Sequence, residues 1–217
     1  MTKKKAHHDR EALREKLLTA TLTHVPFDGW TQTAFDRGVE DTGTARALAL
    51  NAFPRGIGEM IEYFHRLTDR RVVAELEKRD LAALKLRQKV ALALRLRFEI
   101  NAGHREAIRQ GLAFLALPTN SPIGLVSLYR TVDANWNAVG DRSADISYYS
   151  KRALLAGVYT ASVFYWLNDK SEGTTDTWSF IDRRIDDVMR IQKLRGKLDK
   201  LVAQLPDPFR MLRGVGR

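Results

Sequence analysis

The chain of 217 residues contains no cysteine. That absence excludes disulfides, thiolate metal centres and cysteine nucleophiles. Proline is scarce, with six residues in all, so little in the chain interrupts a helix. Uncharged runs are few. Gln110 to Tyr129 is broken by Pro118, Asn120 and Pro122, and Ala153–Asn168 has only 16 residues. A spanning helix needs roughly 20 apolar residues, so no transmembrane segment is expected. The opening "MTKKKAHHDR" has no apolar stretch of the kind a secretory signal carries, and no Arg-rich transit segment is visible. Nucleophile elbow, HExxH and P-loop patterns are all missing. One Glu-x-x-His occurs, at Glu62 and His65. A di-iron bundle needs two such motifs and two further carboxylates, so these residues are expected to be a solvated Glu and an ordinary helix His. No catalytic constellation remains, and the expectation is a protein that is not an enzyme and carries no cofactor.

The charge that is present is unbalanced. The formal net charge is +10 and the pI about 10.0, which suits an anionic partner such as nucleic acid, an anionic membrane surface or an acidic protein. Residues 190–217 hold eight Lys/Arg against Asp199 and Asp207, whereas residues 110–168 hold only seven charged side chains. The chain is thus basic at its end and apolar in its middle.

Helix formers fill the long segments. The patterning predicts helices over about 9–25, 33–41 and 44–52, a long helix that begins near 58, and helices over 81–101, 105–117, 122–139, 147–168 and 175–205, with Thr44 and Thr175 or Asp176 as N-caps and Gly140 closing the seventh. "LALRLRF" alternates as a strand would, yet helix formers surround it and no turn signals flank it, so it is read as helix. The expected fold is all-α, with about nine helices in three parts: a helix-turn-helix-like N-terminal unit over 9–55, an apolar helical bundle over 56–190, and a basic amphipathic helix and tail over 191–217.

The N-terminal unit resembles in architecture that of TetR-type regulators. A groove-reading helix needs polar side chains for bases and phosphates. "TARALALNAF" offers Thr44, Arg46 and Asn51 among Ala, Leu and Phe. That composition suits packing better than reading, so no specific DNA binding is expected, and a ligand-responsive TetR-type regulator is kept as the alternative.

"ALLAGVYTASVFYWLN" (Ala153–Asn168) is apolar all round, and such a helix must be buried on most sides. "GLAFLALP" and "IGLVSLY" are equally apolar. Periodicity does not distinguish a filled core from a pocket for a hydrophobic ligand. In the last helix Ile191, Leu194, Leu198, Leu201 and Leu205 face one way, with Lys193, Lys197 and Lys200 mostly opposite. This pattern fits an anionic membrane interface as well as it fits a docked helix.

Four stretches carry a more specific resemblance: "LLTATLTHVPFDGWTQTAF", "LALPTNSP", "TVDANWNAVGDRSADISYYSKRALLAGVY" and "DTWSFIDRRIDDVM". With Trp136, Gly140, Asp141, Ser143 and Asp145 followed by Tyr149, Arg152 and Ala153, the chain resembles the ubiquinone-biosynthesis accessory proteins of the Coq-nine type. The resemblance implies a TetR-like fold and a homodimer without a repressor's role. It implies a pocket for an isoprenoid lipid or ubiquinone intermediate, assigned here to Leu112, Leu115, Leu125, Trp136, Leu154, Val158 and Tyr165. It implies a docking edge for the demethoxyubiquinone hydroxylase at Asp145, Tyr148, Tyr149 and Arg152; the family often has Trp where Tyr148 stands. It implies membrane contact through Lys193, Leu194, Lys197, Leu198 and Leu201. The expected location is cytoplasmic, peripheral on the inner face of a bacterial membrane, or on the matrix side in a processed mitochondrial protein.

Overall fold

The computed structural model describes the backbone of residues 2–140 and 146–204 and the side chains of residues 7–140 and 149–190. Among the described residues there are nine α-helices and no strand. The first, α1 (Thr2–Asp28), buries Leu17, Leu18, Thr21 and Val25 at spacings of three and four, the stripe of a core-facing helix. Pro26 lies in its last turn, where the helix was ending in any case, and Gly29 at φ 73° turns the chain away. Next come α2 (Gln32–Thr42), α3 (Arg46–Ala52) and the long α4 (Ile57–Glu77). Thr31 caps α2 by accepting from the Ala34 N–H at 3.3 Å. Gly43, at φ 62°, closes it in the left-handed conformation that glycine adopts without a Cβ clash. Gly38 lets α1 and α2 touch, because a Cβ there would stand 2.7 Å from the Thr21 backbone nitrogen. Thr44 is not the cap of α3; its hydroxyl oxygen accepts from Thr42 Oγ1 instead, and α3 begins after Ala45 without a side-chain cap.

The fifth helix, α5 (Leu86–Ile100), starts five residues later than the patterning predicts. Its first turn is fixed at Lys85, whose N–H donates to Gln88 Oε1 at 2.9 Å, and Leu81–Leu84 belong to the preceding turn. The alternation of "LALRLRF" is incidental: Val90, Ala93, Leu94, Arg97 and Phe98 are buried at helical spacing. Then follow α6 (Arg105–Ala116), α7 (Ser121–Ala138), α8 (Ile146–Asn168) and α9 (Thr175–Gln204).

Two apolar cores result. One joins α1, α2 and α3 to the first half of α4 through Met60, Ile61, Tyr63 and Phe64. The other joins the second half of α4, at Val72 and Leu76, to α5, α7, α8 and α9. They interlock rather than part after residue 55. Helix α4 serves both, Ile108 packs against both, and Trp30 Nε1 donates to the Ala107 carbonyl at 2.8 Å. Helix α8 is buried on one side by Leu155, Val158, Ser162 and Trp166, with Trp166 stacked on Phe98 at 5.1 Å. Its opposite stripe of Ala153, Gly157, Thr160 and Phe164 is exposed. The uncharged run is therefore core on one flank only.

The entry to α9 is held by Asp169 rather than by Thr175 or Asp176. Its carboxylate accepts from the Ser171 N–H and hydroxyl and from the Thr177 N–H and hydroxyl, at 2.5–2.9 Å. Burial alone would raise this acid, but those four bonds hold it down at about 2. Asp169→Ala removes the Thr177 cap of α9, leaving only the Asp176 N–H bond to Ser171 Oγ, and is expected to destabilise the protein by about 1–2 kcal/mol. Urea denaturation of the two proteins, compared at equal m-value, checks this.

Candidate functional site: an apolar cleft with a polar floor

Three helices frame a cleft of about 320 Å³, at the lower end of the range for small-molecule sites. From α6 come Ile108, Leu112 and Leu115; from α7, Gly124, Leu125 and Leu128; from α8, Thr160, Val163 and Phe164. Gly124 sets the closest approach of α6 to α7, since a Cβ there would come within 3.3 Å of Leu115 Cβ. The mouth is apolar and open: Leu125 is 68 % exposed and Phe164 55 %. Leu117, Val126 and Tyr129, close by in sequence on the α6–α7 turn and α7, are exposed as well.

The floor has a different chemistry. His65, Ser127, Thr131 and Tyr159 line it, and behind them lies Arg97, 2 % exposed. A buried guanidinium needs its charge paired and its donors used. Arg97 Nη1 donates to Asp69, Nε donates to the Tyr159 hydroxyl oxygen at 2.8 Å, and Nη2 lies 3.4 Å from His65 Nδ1. Thr131 Oγ1 donates to Asp69 Oδ1 at 3.0 Å. Helices α4, α5, α7 and α8 are thus tied at one point. Burial, and then the adjacent Arg97, push the His65 imidazole down to about 4. It is neutral at physiological pH, and because a guanidinium only donates, Nδ1 is the acceptor and the ring proton sits on Nε2. Ser127 Oγ is buried without a hydrogen-bond partner among the described residues.

The residues expected to bind lipid fall into three places. Leu112, Leu115 and Leu125 line the cleft. Trp136, Leu154 and Val158 line a second pocket of about 90 Å³ with Leu86, Val90 and Met189, room for about three water molecules. There Trp136 Nε1 donates to the Lys151 carbonyl at 3.2 Å. Tyr165 belongs to neither and stacks on Phe180 at 4.3 Å. The floor residues were not anticipated, although Ser127 and Thr131, four apart in an apolar segment, were a readable sign of a polar spot on one helix face.

Of the expected docking edge, Tyr149 stands out from the surface, 72 % exposed. Arg152 does not face outward. It is 4 % exposed, and its Nε and Nη2 donate to Asp133 Oδ1 at 2.8 and 2.7 Å, fastening α8 to α7. Asp145 and the side chain of Tyr148 lie outside the described residues, as do the side chains of Lys193, Leu194, Lys197, Leu198 and Leu201 in the last turns of α9. Glu62 is not solvated: it is 9 % exposed and accepts from Arg55 at 3.0 Å and from Arg130. Among the described residues no group of three or more His, Asp or Glu is placed to hold a metal ion, and no helix is long and apolar enough to cross a membrane. On α3 the outward side chains include Leu48, Leu50 and Asn51, and Arg46 is paired with Asp36 at 3.0 Å.

The depressed His65 has a consequence for acid stability. Below pH 6.5 the unfolded chain binds a proton there that the folded protein refuses until about pH 4. Stability is therefore lost as pH falls through that window, by on the order of 3 kcal/mol. His65→Gln is expected to flatten the dependence between pH 4 and 6.5, read from denaturation midpoints at each pH.

The comparisons with known proteins agree with the residue-level resemblance. Residues 121–192, which carry two of the cleft's three walls, match the COQ9 family model. The chain is 31% identical to the mitochondrial ubiquinone biosynthesis protein COQ9 of Drosophila melanogaster over 85% of its length, and 31% identical to that of Homo sapiens over 85%. Identity to COQ9-B of Xenopus laevis is 33% over 84% of the chain. It spans 57%, 60% and 64% of those relatives' own lengths. Among solved structures, a TetR transcriptional regulator from Nitrosomonas europaea superposes with a TM-score of 0.68 at 17% identity, covering 81% of this chain and 97% of that one; at that identity the likeness is one of fold. By sequence, then, the chain is similar to the COQ9 ubiquinone biosynthesis proteins over most of its length, and its helices follow a TetR-like frame.

Proposed function

We propose that this protein is a non-enzymatic accessory protein of ubiquinone biosynthesis. It holds an isoprenoid lipid or ubiquinone intermediate and presents it to the demethoxyubiquinone hydroxylase at a membrane surface. The observation that carries the reading is the cleft between α6, α7 and α8: apolar along its walls, open at Leu125 and Phe164, and located largely in the segment that matches the family. Each CH₂ taken from water contributes about 0.8 kcal/mol, so about ten buried carbons supply a gross ~8 kcal/mol against the cost of association. A mouth rimmed with exposed apolar side chains suits a protein that takes its ligand from a lipid phase. The basic end of the chain, with Lys193, Leu194, Lys197, Leu198 and Leu201, is assigned to the anionic membrane surface. The exposed part of α8 at Ala153 and Gly157, apart from the mouth residues Thr160 and Phe164, is a face on which a second copy can pack as a homodimer.

Lipid extracted from the purified protein and identified by mass spectrometry is the direct test. An isoprenoid or quinone is expected with the native chain. Thr160→Trp places an indole in the mouth from an exposed position and is expected to lower occupancy about tenfold with unchanged helical content. A well-folded preparation without isoprenoid or quinone, or full occupancy in the Trp variant, contradicts the reading.

Tyr149 is the described residue best placed to anchor the hydroxylase, being aromatic, exposed and in the first turns of α8. Tyr149→Ala is expected to weaken capture of that enzyme by about 2 kcal/mol while leaving bound lipid unchanged. Undiminished capture by the Ala variant, measured by titration calorimetry, removes Tyr149 from the interface.

A further inference from the structure

Resting on the reading of the cleft as a lipid site, we propose that it takes its ligand head first. A neutral oxygen-bearing head (a carbonyl, hydroxyl or phenol) is seated against Ser127 Oγ and His65 Nε2 on the floor, and the apolar chain leaves between Leu125 and Phe164. Six buried side-chain polar atoms lack a hydrogen-bond partner among the described residues, and Ser127 Oγ is the one of them on a residue lining this cleft. Ser127 is 5 % exposed, and buried hydroxyls are ordinarily paired. His65 shares the same lining and has Nδ1 turned to Arg97, which leaves Nε2–H as a donor to the cleft. A hydroxyl and an N–H together match an oxygen acceptor.

The same floor selects against charge. Arg97 already gives its guanidinium to Asp69 and Tyr159, and Thr131 gives its hydroxyl to Asp69. Among the described residues no Lys or Arg lines the cleft. A phosphate or carboxylate head would lose its hydration without gaining a counter-charge, and Asp69 would stand behind the floor as a like charge. The walls above are mostly hydrocarbon, with hydroxyls among their described residues only at Ser121 and Thr160. Head-in seating describes the stored ligand; presentation to a partner draws the head back out past Leu125 and Phe164.

Binding of three probes with the same fifteen-carbon isoprenoid chain separates the possibilities: farnesol, farnesyl phosphate and the hydrocarbon farnesene, each measured by displacement of a fluorescent fatty probe from the delipidated full chain. Farnesol is expected to bind about tenfold more tightly than either of the others, and Ser127→Ala to reduce that preference to about threefold or less. Because Ser127→Ala removes an unpaired buried hydroxyl, the ligand-free variant is expected to melt no lower than the native protein, which separates a lost ligand contact from a damaged fold. Equal binding of farnesol and farnesene, tightest binding of the phosphate, or an unchanged preference in Ser127→Ala overturns the head-in assignment while leaving the cleft as a lipid site. Failure of all three probes to bind the native protein overturns the lipid site itself, and the head-in assignment with it.

Discussion

A guanidinium that scarcely touches water dictates much of this architecture. Arg97 is buried, so its charge has to be met inside the protein, and Asp69, Tyr159 and the His65 ring meet it from α4 and α8. Removing one partner of such a buried pair typically costs about 3–5 kcal/mol. The network therefore fixes the register of α4, α5, α7 and α8 against one another more tightly than interchangeable aliphatic contacts do. It also sets a polar boundary inside an otherwise apolar bundle. Above that boundary, the side chains of α6, α7 and α8 do not close over the floor, and the space they leave is the cleft. Stability and the candidate site thus share one device.

The frame is that of a TetR-type regulator, but fold does not carry function with it. On α3, where a regulator would read a groove, Arg46 is engaged with Asp36 and the outward side chains include Leu48 and Leu50. Ligand-sized space is made where α6, α7 and α8 meet, by small and polar residues on helix faces: Gly124 against Leu115, Ser127 and Thr131 at the floor, Thr160 at the mouth.

Helix identity was legible in the sequence because apolar periodicity, sparse proline and Gly punctuation are local signals. Each of the nine helices has its counterpart in the patterning. The misplaced details are those set by contacts the pattern does not encode. The start of α5 depends on a Lys85–Gln88 contact rather than on composition. The cap of α9 is Asp169, beyond the short turn of Glu172–Thr174 and outside the window in which a cap is sought. Of the assigned lipid residues, Leu112, Leu115 and Leu125 share the cleft because α6 and α7 form a hairpin, which neighbouring sequence implies. Trp136 on α7 and Leu154 and Val158 on α8 were equally apolar, but their helix faces turn them to the second pocket instead. Arg152 reads as an exposed hot-spot residue beside two tyrosines, and only the approach of Asp133 on α7 shows it to be an internal tie. Beyond the Ser127–Thr131 spacing, the polar floor was hidden for the same reason: His65, Arg97 and Tyr159 are scattered along the chain and are gathered only by the fold.

The central claim is that a lipid lies between α6, α7 and α8. The most direct measurement is a crystal structure of the protein loaded with a bromine-labelled isoprenoid alcohol, with the label placed on the chain and located by anomalous scattering. The account predicts a bromine peak along the walls formed by Leu112, Leu115, Leu125 and Phe164, with the alcohol oxygen beside Ser127. A peak confined to the pocket of Trp136 and Leu154, or no bound lipid in protein of intact fold, would contradict it.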